Sequence, residues 1–181
     1  MARAFQLHED GSVTALLEKD ERELLQYLLT ELLELVTPTQ QSDHEDAFDQ
    51  LVAQWEEHPI QAPQDPAEQR LFPDAFRGDV DAATEFRRFT ENQLRTQRSQ
   101  RSEGLLALIK SSGEEISLSQ AEAHECVQTL TDLRLVLGTR LEITDDRDSR
   151  GNSVAHSVYD WLTWLQESLV QVLFMLPPHS S

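Results

Sequence analysis

The sequence predicts a mainly α protein, a single-domain bundle of about five helices with a small N-terminal β-hairpin, over residues 1–181. Two observations predict this class. Apolar residues recur at three- and four-residue steps in five stretches, most of them ended by proline or glycine. An Asp-Gly pair near the N-terminus lies between two short alternating runs. The hydrophobic content of 39% is sufficient for a core of one domain.

The N-terminal region is predicted to begin with strands and continue as a helix. Polarity alternates on both sides of Asp10 and Gly11, which predicts a β-hairpin over residues 3–17. Leucines then repeat at helical spacing from about residue 19 to residue 36, and Pro38 stops the pattern. We therefore expect a hairpin followed by a helix whose apolar side faces the core.

Two further helices are predicted on either side of a proline-rich connection. A short second helix is expected over residues 43–57, where apolar residues again form one stripe. Residues 58–69 contain three prolines and no apolar period, so we interpret them as a connection. A long third helix follows Asp79, which can cap it, and ends at residues 111–113.

The C-terminal part is predicted to hold the last two helices. Ser119 and Glu122 form a capping box that begins the fourth helix, whose leucines continue to Leu141. Residues 142–153 form a polar loop, and residues 154–175 then carry apolar side chains at helical spacing before two prolines.

The charge balance limits the classes of partner. Acidic residues outnumber Lys and Arg by 33 to 15, and the net charge of -18 repels phosphate backbones, so direct DNA binding is disfavoured. No stretch approaches the ~18 apolar residues of a spanning helix, and the first residues are too charged for a signal peptide. We therefore expect a cytoplasmic protein with no membrane contact.

Motifs for catalysis or cofactor binding are missing from the sequence. The six glycines are isolated and form no phosphate-binding loop. A di-metal helical bundle needs Glu three residues before His, but Ala121 precedes His124 at that spacing. We expect no cofactor, no metal and no enzymatic activity, and a function in binding another protein. An unrecognised enzyme that uses clustered carboxylates is the alternative.

Arginines are concentrated in one stretch of the predicted third helix. They are Arg87, Arg88, Arg95, Arg98 and Arg101. Because residues 1–60 hold 14 acidic and 3 basic residues, the arginines could simply pair with the acidic N-terminal helices. The functional hypothesis is a docking stripe for an acidic partner, since arginine is enriched at interfaces and binds carboxylates with a forked geometry. The acidic N-terminal half could equally bind a basic partner.

Cys126 is the only cysteine of the chain, so an intrachain disulfide is impossible. Free cysteine is among the most often buried residue types, so packing as a small hydrophobe is the first interpretation. The alternative is an exposed redox-active thiol that forms a mixed or intersubunit disulfide, which requires accessibility and a lowered pKa.

Three sequence segments together resemble a known family: residues 70–76 leading into 85–87, then 132–141, then 158–162 with Gln166. The residues that carry the resemblance are Arg70, Phe72, Pro73, Glu85, Asp132, Arg134, Gly138, Arg140, Tyr159, Asp160 and Trp161. They are similar to the signatures of the actinomycete AosR-like family, long filed as a domain of unknown function and now described as oxidative-stress transcriptional regulators. They also have a structural interpretation, in which Arg134 and Arg140 pair with Asp132, Glu85, Glu91 or Asp160.

The resemblance implies regulation of redox-stress genes through an alternative sigma factor, with oxidation sensed by a cysteine pair. This sequence departs from that pattern because Cys126 has no second cysteine and position 5 is Phe5. Oxidation could then act through an intersubunit disulfide, a small-thiol adduct or an oxidised partner protein.

The leading interpretation is therefore a transcriptional regulator of the oxidative-stress response that acts through a protein partner such as a sigma factor. An accessory factor linked to Clp proteolysis or sulfur metabolism is one alternative. A direct DNA-binding regulator, whose arginines locally outweigh the global charge, is another. A homodimer is compatible with each of them.

Overall fold

The structure, a computed structural model, describes residues 3–37, 63–73, 80–143 and 153–175, with side chains given outside residues 3–4 and 80–89. These ranges contain five helices and one three-stranded antiparallel sheet, which confirms the mainly α class. The elements are β1 (Arg3–Leu7), β2 (Val13–Leu16), α1 (Lys19–Val36), α2 (Pro66–Leu71), α3 (Val80–Ser111), β3 (Glu115–Leu118), α4 (Gln120–Arg140) and α5 (Val154–Met175).

The sheet begins with the predicted hairpin. Gly11 adopts φ 83°, a conformation that favours glycine, and the Asp10 carboxylate accepts a hydrogen bond from the Ser12 backbone N–H at 2.9 Å. Strand β3 pairs with β2, so that Val13 lies opposite Leu118. Strand β3 was not predicted, because four residues directly after a long helix are too few for alternation to be distinctive.

Helix α1 buries Leu25, Leu29, Leu32 and Val36 and packs against α3. Arg22 of α1 donates hydrogen bonds from Nη2 to the carbonyl groups of Ile109 at 3.0 Å and Ser112 at 2.7 Å. These carbonyls lie at the C-terminal end of α3, where helical partners are lacking and a cation is favourable. Arg22 therefore fixes the end of α3 against α1.

Helix α2 begins within the predicted proline-rich connection over residues 58–69. Residues 66–69 are helical, because the Asp65 carboxylate accepts a hydrogen bond from the Ala67 backbone N–H at 2.7 Å and Pro66 occupies the first turn. The predicted helix over residues 43–57 lies outside the described residues.

Helices α4 and α5 complete the core. The capping box at Ser119 is confirmed, with a hydrogen bond of 2.8 Å from its backbone N–H to the Glu122 carboxylate. Helix α4 packs against α2, α3 and α5, and α5 also covers β1. The most deeply buried large side chains come from the sheet region and all five described helices: Val13, Leu17, Leu29, Leu32, Leu71, Ile109, Ile116, Leu118, Leu130, Leu162, Leu165 and Leu169. Most of the predicted polar loop, residues 144–152, is outside the description.

Candidate functional site

The arginines of α3 whose side chains are described are Arg95, Arg98 and Arg101, which we call the arginine cluster. Their three-residue spacing places them on successive turns of α3. The side chains are only 12%, 19% and 19% exposed. Charged groups at this depth need ionic or hydrogen-bonding partners, and the cluster has both.

Arg95 connects three helices. Its Nε donates to the Glu91 carboxylate at 2.8 Å within α3, and Nη2 lies 3.3 Å from the Glu68 carboxylate of α2. Its Nη1 donates to the Leu35 carbonyl of α1 at 2.8 Å. The guanidinium also lies 4.3 Å from the ring centroid of Phe72, a cation–π distance. This side chain holds α1, α2 and α3 together.

Arg98 and Arg101 share a single carboxylate. Nη1 of Arg98 forms an ion pair with Oδ1 of Asp132 on α4, and Nη2 of Arg101 lies 3.3 Å from Oδ2. Arg98 also donates to the Leu71 carbonyl at 3.2 Å, and its guanidinium lies 5.5 Å from the Phe72 ring centroid. Asp132 is buried and carries one negative charge, whereas the two guanidiniums carry two positive charges. The three groups therefore leave one positive charge in excess.

The arginine cluster is thus paired within the chain, but its acidic partners differ from those expected. The carboxylates belong to Glu68, Glu91 and Asp132. The contact of the cluster with the acidic N-terminal region is the hydrogen bond from Arg95 to the backbone carbonyl of Leu35. The side chains of Arg87 and Arg88 lie outside the described residues. The docking hypothesis for these five arginines stays a prediction.

A depression of about 250 Å³ lies between α3 and α4 beside the shared carboxylate, and we call it the α3–α4 groove. It is lined by Leu94, Gln97, Arg98, Arg101, Gln128, Thr131 and Asp132. Leu94 is 40% exposed, and both glutamines are exposed. The groove therefore combines an apolar rim, amide groups and a surplus guanidinium.

Arg134 forms a second polar network on the other side of α4. Its Nη1 donates to the Gln166 side-chain oxygen at 2.7 Å, and Nη2 donates to the Tyr159 hydroxyl at 3.3 Å. Gln166 in turn donates to the Thr131 hydroxyl at 2.6 Å. The carboxylates expected as partners of Arg134 are replaced here by two neutral side chains of α5. Because Thr131 also lines the groove, the two polar regions adjoin.

The C-terminal end of α4 contacts α5 at Gly138 and the start of α2 through Arg140. A Cβ atom added at Gly138 would lie 3.2 Å from the Tyr159 ring, so glycine permits this close approach. Arg140 donates to the Asp65 carboxylate at 2.6 Å. The hydrogen bond from Arg140 lowers the pKa of Asp65 below its ordinary value. No role was predicted for Asp65, although an acidic residue before proline is a recognisable helix start.

The other motif residues are placed in different surroundings. Phe72 is buried under two guanidiniums, whereas Arg70 and Pro73 are exposed. On α5, Asp160 is exposed and Trp161 is half-buried against the core. The side chain of Glu85 lies outside the described residues. Among the described side chains, the motif residues are therefore distributed over several separate contacts.

Cys126 is buried on α4 as part of the apolar core. Burial raises the pKa of its thiol to about 12. The interpretation as a redox-active thiol needs accessibility and a lowered pKa, and the structure provides neither. Cys126 instead fits the interpretation as a small packed side chain.

Two further features concern other classes of site. Among the described side chains, no three His, Cys, Asp or Glu residues converge as ligands of a metal ion would. None of the described helices combines the length and apolar character needed to cross a membrane.

Comparison with known proteins identifies the family. The family model described as "Domain of unknown function (DUF2017)" matches residues 2–173. The chain belongs to this family. Proteins named "Oxidative stress regulator AosR" from Mycobacterium bovis and Mycobacterium tuberculosis are 32% identical to it over 171 residues, covering 84% of this chain and 78% of theirs. No solved structure matches the chain. The AosR-like resemblance is thus confirmed.

Proposed function

We propose that this chain regulates the oxidative-stress response, as a transcriptional regulator that reaches promoters through a protein partner such as an alternative sigma factor. The observation that carries the proposal is the similarity to proteins named oxidative stress regulators over 84% of this chain. The matched family region includes the core and the polar contacts of α4. This breadth supports a shared general role.

The distribution of charge supports a protein-mediated route over direct DNA binding. Affinity for DNA comes largely from cations that neutralise phosphates, and the chain has a net charge of -18. Arg95 and Arg98 are engaged with carboxylates of the chain, so their charge is already balanced. A protein partner can supply the contact with DNA or polymerase instead.

Oxidation would reach this regulator through its partner. An intersubunit disulfide or a small-thiol adduct requires an accessible thiolate, whereas Cys126 is buried and its thiol has a pKa of about 12. An oxidised partner protein needs no thiol in this chain. We therefore place the oxidation-sensitive step in the partner.

The proposal includes a cytoplasmic location and a binding role without catalysis. Transcription takes place in the cytoplasm of bacteria, and the sequence carries no motif of a phosphate loop or an activated nucleophile. The expected biochemical activity is a change in the partner's association with RNA polymerase.

Affinity capture tests this function directly. The full chain is used as bait in a lysate of its native host, with and without peroxide, and captured proteins are compared by mass spectrometry. We expect an alternative sigma factor or RNA polymerase subunits in a redox-dependent amount. Failure to enrich either under both conditions would contradict the proposed function.

A Cys126→Ser bait separates the two possible locations of the sensor. If the partner senses oxidation, the redox dependence of capture persists with this bait. If the dependence disappears while the bait stays folded, the sensor lies in this chain.

A further inference from the structure

We propose that the α3–α4 groove binds a carboxylate side chain on an acidic, amphipathic helix of the partner. This inference rests on the proposed function, since it names the surface and chemistry by which that partner would be held. It narrows the docking hypothesis from five arginines to Arg101 and the groove beside it.

The groove carries an uncompensated positive charge. Two guanidiniums line the groove and share the carboxylate of Asp132, so one positive charge lacks a counter-ion among the lining residues. Arg98 uses its Nη groups on Asp132 and the Leu71 carbonyl. Arg101 uses Nη2 on Asp132, and no described residue accepts from its Nη1. Arg101 therefore retains a donor for an incoming carboxylate.

The groove also holds this donor of Arg101 in position before a ligand binds. Arg101 is only 19% exposed, and its contact with the buried Asp132 fixes the guanidinium near the surface. A side chain that is already held loses little conformational freedom when it binds, in contrast to an arginine free in solvent. Charge-assisted hydrogen bonds to carboxylates are also stronger than neutral ones.

The shape and the apolar rim of the groove fit a helical ligand. The groove runs between two packed helices, and Leu94 exposes apolar surface at its rim while Gln97 and Gln128 offer amide groups. An amphipathic helix can place an apolar residue on Leu94 and an acidic residue one turn away. A small inorganic anion would leave Leu94 without a contact, so the groove favours the helix.

A peptide titration tests the inference. The probe is a fluorescently labelled amphipathic peptide of about 20 residues, long enough to be helical, with Leu and Glu on one face. Binding to the full chain is followed by fluorescence anisotropy at about 0.15 M salt, where long-range repulsion by the acidic surface is screened. We expect saturable binding that weakens about tenfold when the glutamates are replaced by glutamine.

Two variants of the chain locate the binding site. Arg101→Gln removes the surplus charge but leaves the ion pair between Arg98 and Asp132, and we expect it to weaken binding about tenfold. Leu94→Glu keeps all described ion pairs and should also weaken binding, because it adds a repelling carboxylate at the rim. Lys110→Gln makes the same charge change as Arg101→Gln at an exposed site of α3 and should leave binding unchanged.

The outcomes separate this inference from the proposed function. If the peptide does not bind, or if Arg101→Gln and Lys110→Gln weaken binding equally, the groove is not the carboxylate site. Redox-dependent capture of a sigma factor or polymerase would then still support the function through another surface. Conversely, peptide binding that depends on Arg101, without any such capture, would support the groove and contradict the function.

Discussion

The N-terminal half of α4 faces an apolar core, whereas its C-terminal half is held by charged and polar contacts on three sides. Ala123, Cys126 and Leu130 are buried among other hydrophobic side chains. Asp132 contacts α3, and Arg134 contacts α5. Burial of apolar surface has little directionality, so the first half contributes mainly stability. Hydrogen-bonded ion pairs have defined geometry, so the second half fixes how neighbouring helices are placed.

The reactivity of the Cys126 thiol tests whether the N-terminal half of α4 is buried, and it is the largest effect that we expect. At pH 8, a thiol of pKa about 12 has about a thousandfold less thiolate than one of pKa 9.0. We expect iodoacetamide to label the native chain at least about a hundredfold more slowly than the urea-unfolded chain, measured by mass spectrometry.

Ser117→Cys in the Cys126→Ser background provides an exposed thiol on β3 as the control and should react rapidly without urea. Rapid labelling of native Cys126 would contradict its burial.

The raised pKa of the Cys126 thiol also makes the free energy of unfolding depend on pH. Because the folded state holds the thiol proton more tightly than the unfolded state, the contribution of Cys126 to the free energy of unfolding is complete below pH 9. It decreases as the pH rises towards 12.

The polar half is tested by Asp132→Ala. The substitution leaves Arg98 and Arg101 half-buried without their carboxylate, and the loss of one partner of a buried ion pair costs about 3 kcal/mol. Urea unfolding followed by circular dichroism measures the change. Asp160→Ala on the exposed side of α5 serves as control, with an expected effect below about 0.5 kcal/mol. Equal effects would mean that the buried pair contributes no more than a surface charge.

Two glycines compare helix propensity with helix packing. Gly104 of α3 has no atom within 4 Å of an added Cβ, so Gly104→Ala should raise the free energy of unfolding by about 1 kcal/mol. At Gly138 the added Cβ would lie 3.2 Å from the Tyr159 ring, which is buried and held by Arg134. We therefore expect that Gly138→Ala does not raise the free energy of unfolding. A gain equal to that of Gly104→Ala would show that Tyr159 moves without cost.

The smallest expected effect concerns Asp65, which caps α2 and pairs with Arg140. Asp65→Ala should lower the free energy of unfolding by about 1 kcal/mol at neutral pH, mainly through the lost cap. The pKa of Asp65 is lowered in the folded state, so its contribution is present above pH 3.8 and is lost as the pH falls through the folded value. A difference between variant and parent that persists below that value would contradict this assignment.

The helices that the sequence predicted correctly are those whose apolar residues recur at helical spacing. In α1 and α5, leucines recur at helical spacing, and nothing outside the segment is needed to recognise the pattern. Helix α2 and strand β3 were missed because they have only six and four residues, and β3 also depends on pairing with the distant strand β2. Short elements carry too few residues for periodicity to be informative.

The candidate site could be predicted only in part. The density of arginines around residues 87 to 101 was visible, and so was the unusual segment from Asp132 to Leu141. That Asp132 pairs with Arg98 and Arg101 required the packing of α3 on α4, since 34 and 31 residues separate the partners. The sequence also gave no means to distinguish paired arginines from one with a donor to spare.

The sequence by itself determined the mainly α class, the acidic surface and the family, because composition, periodicity and a continuous motif are properties of the chain. The tertiary structure decided that Cys126 is buried, that Arg98 and Arg101 share the carboxylate of Asp132, and that Arg101 borders a groove. Local patterns report which face of a helix is apolar. Burial, charge pairing and pKa depend on which segments meet in space.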